Sequence, residues 1–115
     1  MGERANAIHL GMAIAAFEQL LEWGMDRITN YNRNLVNYIL DKADEYSFDH
    51  TSATHCSDNM LGLTLPSSVS PNLAALLNKE KVYIAVRGDR IRLAPHVYND
   101  REEIDRLFQA LARHL

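Results

Sequence analysis

Residues 82–99 read VYIAVRGDRIRLAPHVYN, and the way they fold decides the architecture of the chain. Two β-prone runs, 82–86 and 91–93, flank a polar break that contains Gly88-Asp89. A Gly-X pair between short apolar runs is the chemistry of a two-residue hairpin turn, because glycine takes up the positive φ. With 88 and 89 in the turn, 87 faces 90, 86 faces 91, 85 faces 92 and 84 faces 93. Val86/Ile91 and Ile84/Leu93 then share one face, which suits a core. The other face carries Arg87, Arg90 and Arg92 beside the small residues Ala85 and Ala94. Like charges directly opposite each other cost stability unless an anion or solvent relieves them. The residues themselves leave two readings open: a solvated basic edge, or an arginine cluster over a small-residue floor.

After the hairpin, Asn99-Asp100-Arg101-Glu102 supplies an N-cap with an acidic residue at N3, and Ile104, Leu107, Phe108 and Leu111 mark one face of a final helix. Before it, Ser70-Pro71 reads as an N-cap followed by proline at N1, with Leu73, Leu76 and Leu77 on a short helix. Residues 60–65 form a short strand ended by Pro66, and 47–59 show no period and read as loop. Residues 5–23 repeat apolar side chains at helical spacing over a wide arc, from Ile8 and Leu10 to Leu21 and Trp23. A helix apolar over so much of its circumference packs on two sides, and in a chain this short the second side needs a partner. Gly24 closes it, and Asp26 opens a second helix over about 27–46, striped by Ile28, Tyr31, Leu35, Tyr38, Ile39 and Ala43. The predicted class is α+β. A small, partly antiparallel sheet of about three strands carries helices on one face, and a long N-terminal helix projects.

The chain of 115 residues predicts one domain, 1–115. A net charge of -3 gives no basic field for nucleic acid or an anionic membrane. No apolar run reaches membrane-spanning length and the N-terminus lacks signal-peptide character, so the expected location is cytoplasmic. The single cysteine, Cys56, permits no internal disulfide.

His50, His55 and Cys56 cluster in the polar loop, but a zinc site needs three or four ligands at recognisable spacing, and no second cysteine or paired histidine follows. No metal site is therefore expected. His96, after Pro95 at the exit of the second hairpin strand, is a candidate for ligand contact near the arginine face. The lysines, Lys42, Lys79 and Lys81, stand in no context that suggests a desolvated nucleophile. There is no glycine-rich phosphate loop and no nucleophile elbow.

From Tyr83 onward the chain resembles the C-terminal segment of the class V aminotransferase family, pyridoxal-phosphate enzymes of the aspartate-aminotransferase fold type. The residues that carry the resemblance are Val86-Arg87-Gly88-Asp89, Ile91-Arg92-Leu93-Ala94-Pro95-His96, Tyr98-Asn99 and Glu103-Ile104-Asp105-Arg106-Leu107. An arginine followed six residues later by Tyr-Asn at the start of the last helix is the family's ending. Residues 2–6, Gly-Glu-Arg-Ala-Asn, are similar to the turn that leads into the family's long connecting helix.

The resemblance implies that Arg92 grips the substrate α-carboxylate, with Arg87 assisting and His96 close by. A guanidinium suits that task, since it gives two parallel charge-assisted hydrogen bonds and keeps its charge. It also implies pyridoxal 5'-phosphate as cofactor of a full-length parent, an amino-acid substrate and a homodimer. The lysine, acid and stacking residue that hold that cofactor belong to a large domain this chain does not contain. The chain thus reads as a separated small C-terminal domain that neither holds cofactor nor turns over substrate alone. Cysteine desulfurases of the family carry a nucleophilic cysteine between the two hairpin strands, where this chain has Arg87-Gly88-Asp89-Arg90. The wording of the motif leans to the kynureninase and isopenicillin-N-epimerase-like branches. The alternative reading is a stand-alone module that self-associates or docks a partner through its first helix.

Overall fold

Gly24 is the joint between the long helix and everything that packs. The computed structural model describes residues 7–52, 55–66 and 72–114. Helix α1 (Ala7–Trp23) ends where the Gly24 N–H donates to the Leu20 carbonyl at 3.0 Å, and α2 (Met25–Glu45) begins as the Gly24 carbonyl accepts from the Ile28 N–H at 3.1 Å. Gly24 does both at φ 84°, a backbone state that a side chain disfavours. Because its carbonyl already belongs to α2, that helix starts two residues before the position expected from Asp26. The radius of gyration, 17.0 Å, exceeds the roughly 13 Å of a compact chain of this length, as a projecting helix requires.

From α2 onward the chain builds two layers. Strands β1 (Asp49–His50), β2 (Leu61–Thr64), β3 (Ala85–Arg87) and β4 (Arg90–Leu93) form an antiparallel sheet in the order β1-β2-β4-β3. Helices α2, α3 (Leu73–Lys79) and α4 (Arg101–His114) cover one face of it. Alternation in β2 and β4 sends Leu61, Leu63, Ile91 and Leu93 into the core, beside Leu35, Ile39, Leu77 and Leu111. Phe108 of α4 is fully buried at its centre, with ring centroids 5.5 Å from Tyr46 and 5.9 Å from Phe48.

The α+β class and the long first helix stand as the sequence predicts, with four local corrections. Residues 47–59 are not all loop: Asp49 and His50 pair with Thr64 and Leu63 as an edge strand, too short to show a period. The α2 stripe includes Val36 and Leu40, whereas Tyr31 and Tyr38 lie at its margin and use their hydroxyls. Tyr31 donates to the Asn99 carbonyl at 2.7 Å, and Tyr38 to Asp105 Oδ1 at 2.8 Å.

The hairpin has the expected register for 85↔92, 86↔91 and 87↔90, turning at Gly88 with φ 62°. Residues 82–84 precede the strand instead of extending it, and Val86 remains 39% exposed because β3 is the sheet edge.

The last correction is the cap of α4. Asp100, not Asn99, is the N-cap: its Oδ1 accepts from the Glu103 N–H at 2.9 Å, while Glu103 Oε2 accepts from the Asp100 N–H at 3.3 Å. This reciprocal box, worth about 1 kcal/mol, leaves Asn99 to close the preceding turn. There its Oδ1 accepts from the His96 N–H at 3.0 Å. The Ser70-Pro71 cap and the turn at residues 2–6 lie outside the described residues.

Candidate functional site

The sheet face opposite the helices carries the charge. Cross-strand pairing sets two rows on it: Asp49, Thr64, Arg90 and Arg87 in one, and Gly62, Arg92 and Ala85 in the next. Successive strand residues alternate faces, so the register that buries Ile91 and Leu93 also forces Arg90 and Arg92 outward. All three arginines are exposed, and none of their guanidinium groups makes a hydrogen bond or ion pair among the described residues. The other arginines include two that are paired, Arg33 with Asp58 and Arg113 with Glu80.

A folded-back loop makes this face concave. Thr51, His55 and Cys56 stand with Arg87, Arg90 and Arg92 around a cavity of about 340 Å³, floored by Gly62. Arg33 on α2 pins the loop with a two-pronged pair, Nε to Asp58 Oδ1 at 2.7 Å and an Nη to Oδ2 at 3.0 Å. Its guanidinium, chiefly through that hydrogen bond, holds the Asp58 carboxyl below the usual aspartate range. The half-buried Cys56 thiol donates to the Thr51 carbonyl at 3.4 Å. His50 fixes the other end of the loop. Its Nδ1 lies 3.0 Å from the Thr51 carbonyl and its Nε2 3.0 Å from Asp44 Oδ1. Both partners are acceptors, so together they favour the doubly protonated ring and raise its pKa, the Thr51 carbonyl more than the carboxylate.

Arg92 and Arg87, the two arginines singled out in the sequence, thus share one cavity, and Arg90 joins them. His96 borders neither this cavity nor the larger one; its ring stacks on Tyr98 at 5.3 Å. The larger cavity, about 470 Å³, lies between residues 81–85, residues 93–95 and α4, over Ile39, Ile104 and Leu107. Arg92 contributes to the wall of both. Sequence reasoning missed Cys56 and Thr51 as cavity residues. Residues 55–60 are held by an ion pair and the Ser57–Met60 bridge, neither of which has a periodic signature. Arg90, in contrast, follows from the register once the turn is placed. Among the described residues, no group of three or more His, Cys, Asp or Glu side chains gathers as metal ligands would.

Two helices leading into an antiparallel sheet, with a cationic outer face and a terminal helix beneath, define a small α+β domain. The fold of that domain recurs within larger solved proteins. An alanine–glyoxylate aminotransferase from a Nostoc species matches with a TM-score of 0.72 at 17% identity, over 86% of this chain and 29% of its own. A cysteine desulfurase from Thermococcus onnurineus matches at 0.71 and 16%, over 84% and 28%, and a NifS-like protein at 0.68 and 17%, over 81% and 29%. The chain therefore spans less than a third of the length of these structures. At such identities the likeness establishes the fold alone. No protein-family model and no curated protein sequence matches the chain. No described helix is long and apolar enough to cross a membrane.

Proposed function

We propose that this chain is the substrate-binding small domain of a class V aminotransferase-like, pyridoxal-phosphate enzyme acting on an amino acid. The observation that carries the reading is the unpaired Arg92, set between Gly62 and Ala85 on the outer face of a sheet whose fold those enzymes share. Arg92 receives the α-carboxylate in two parallel hydrogen bonds, and Arg87 adds positive potential from the next row. His96 contributes through the turn it forms with Asn99, which joins β4 to α4. The Arg87-Gly88-Asp89-Arg90 turn has no thiol, which favours the kynureninase or epimerase-like branches over desulfuration.

The cofactor does not fit the residues present. Pyridoxal phosphate needs a lysine within reach of the substrate amine, and no lysine lines the arginine cavity. Lys42 is paired with Glu45 at 2.8 Å on α2, Lys79 lies at the end of α3, and Lys81 borders the other cavity. In this reading a large domain outside the chain supplies the cofactor chemistry, the isolated chain is inactive, and the location is the cytoplasm. Titrating the chain with L-alanine while following arginine Nε–H resonances by NMR tests the assignment. Arg92 shifts on binding, and R92Q removes that shift. An Arg92 signal unmoved by the amino acid would overturn the reading, as would a specific, saturable absorbance linked to one lysine when pyridoxal phosphate is added.

A second reading rests on a separate observation. Ile8, Leu10, Met12, Phe17 and Leu21 of α1 are 58–76% exposed, an apolar surface suited to self-association. A homodimer through α1 is compatible with either function.

A further inference from the structure

We infer that the ligand of this face carries two anionic groups, one bound by Arg92 and the second shared by Arg87 and Arg90. The inference rests on the carboxylate reading of Arg92 and adds the class of substrate: an amino acid whose side chain ends in an anion, or a dicarboxylate of similar span.

The starting point is the pair next to the turn. Arg87 and Arg90 are direct cross-strand partners, the arrangement in which like charges repel most strongly on a sheet. The chain does not lack acids to relieve them, since it has 15 Asp and Glu against 12 Lys and Arg. Asp49 lies on the same row beyond Thr64 and Asp89 lies in the turn itself, yet neither forms an ion pair with either arginine. Elsewhere the fold does recruit acids, as Asp58 for Arg33 and Glu80 for Arg113. Two opposed guanidinium groups left open beside a cavity are thus a ready receptor for an external anion.

Arg92 stands on the next row, two residues along β4 from Arg90 and roughly 6.5–7 Å away along the strand, and offers a second guanidinium fork to a carboxylate there. The row it occupies is cleared on both sides, by the hydrogen of Gly62 and the methyl of Ala85. Crowding does not impose the glycine: a Cβ at Gly62 would meet only the Ile91 carbonyl oxygen, at 3.8 Å, an ordinary contact. The open row lets a ligand lie along the sheet from Arg92 towards Arg87 and Arg90. The cavity of about 340 Å³ falls in the range that small-molecule sites occupy.

The test uses the 115-residue chain and compares butyrate, glutarate and sulfate at constant ionic strength, read on the Nε–H resonances of the three arginines. Glutarate is expected to shift all three together and to bind at least about tenfold more tightly than butyrate, the effect of one added charged hydrogen bond. R90Q or R87Q removes that advantage while leaving the butyrate response of Arg92 in place. If glutarate and butyrate bind alike and both responses vanish in R92Q, the Arg92 reading stands and the second anionic site is overturned. If sulfate reproduces the glutarate response at all three arginines, charge alone governs the face and the two-point inference falls. If none of the ligands moves Arg92, the carboxylate reading itself fails and takes this inference with it. All three side chains are exposed, and the amide spectrum of each variant confirms that the fold is kept.

Discussion

The first and last helices of this chain follow opposite rules. Helix α4 is amphipathic: Ile104, Leu107, Phe108, Ala110 and Leu111 are buried, while its other positions meet solvent or ion pairs. It opens with Glu102 and Glu103, closes with Arg113 and His114, and so complements its own dipole at both ends. Helix α1 has no acidic first turn and no basic last turn, and its apolar residues spread over a wide arc. Among its described side chains only Leu20 is partly covered. One helix is finished by this fold and the other is not. The core therefore lies beyond Gly24, and the apolar surface of α1 is left exposed among the described residues.

The contrast is most severely tested at Phe108. It is fully buried and touches rings from the α2 C-terminus and the segment after it, so it joins α4 to the rest of the core. Phe108→Ala should cost about 3–5 kcal/mol, the range for emptying a large aromatic site, which is a large share of the stability of so small a domain. Urea unfolding measures it. A loss below about 1 kcal/mol would mean that α4 is not the sealed element described.

A smaller effect separates the two ends of the core by pH. Glu80 at the end of α3 is bonded by Arg113 and by His114 Nε2, the latter at 2.7 Å, and these bonds, Arg113 first, lower its carboxyl pKa. A depressed carboxyl contributes stability that is present above the ordinary glutamate value and is lost as pH falls through the folded one. The His50 pKa is raised, so its contribution is present below the ordinary histidine value and is lost as pH rises through the folded one. Thermal unfolding should therefore show an acid-side loss that E80Q removes and a neutral-to-basic loss that H50Q removes. Both are surface effects and shrink with added salt. Insensitivity of either limb to its own variant would discard that clasp.

What could be read in the sequence divides along the same line. Helical period exposes α4 and the turn chemistry at Gly88-Asp89 exposes the hairpin, because both are local rules written in consecutive residues. The register then delivers Arg87, Arg90 and Arg92 to one face with no tertiary information. Strand β1 was hidden because two residues hold no alternation. Its existence depends on β2 being there to pair with. Cys56 lies two residues from Asp58, whose pair with Arg33 is a contact between residues 25 apart that no local pattern signals, and Thr51 follows β1 with its N–H donating to the Gly62 carbonyl. The one-residue displacement of the α4 cap is of the same kind: Asn99 and Asp100 are both good caps, and the His96 turn decides between them by occupying Asn99.

The smallest expected effect on stability is the most informative about α1. Leu21 is 74% exposed and Phe17 65%, so a charged residue at either position removes no packing within the chain. Leu21→Lys and Phe17→Lys should each leave the unfolding free energy within about 0.5 kcal/mol of the parent. If α1 is the surface on which a second copy docks, sedimentation equilibrium should show the parent associating and the double variant monomeric at the same concentration, since the ammonium groups must be desolvated to pack. A double variant that associates as well as the parent would remove α1 from the interface. A variant that unfolds readily would mean that α1 is held to the core more closely than its exposure shows. Either result would break the contrast between the two helices.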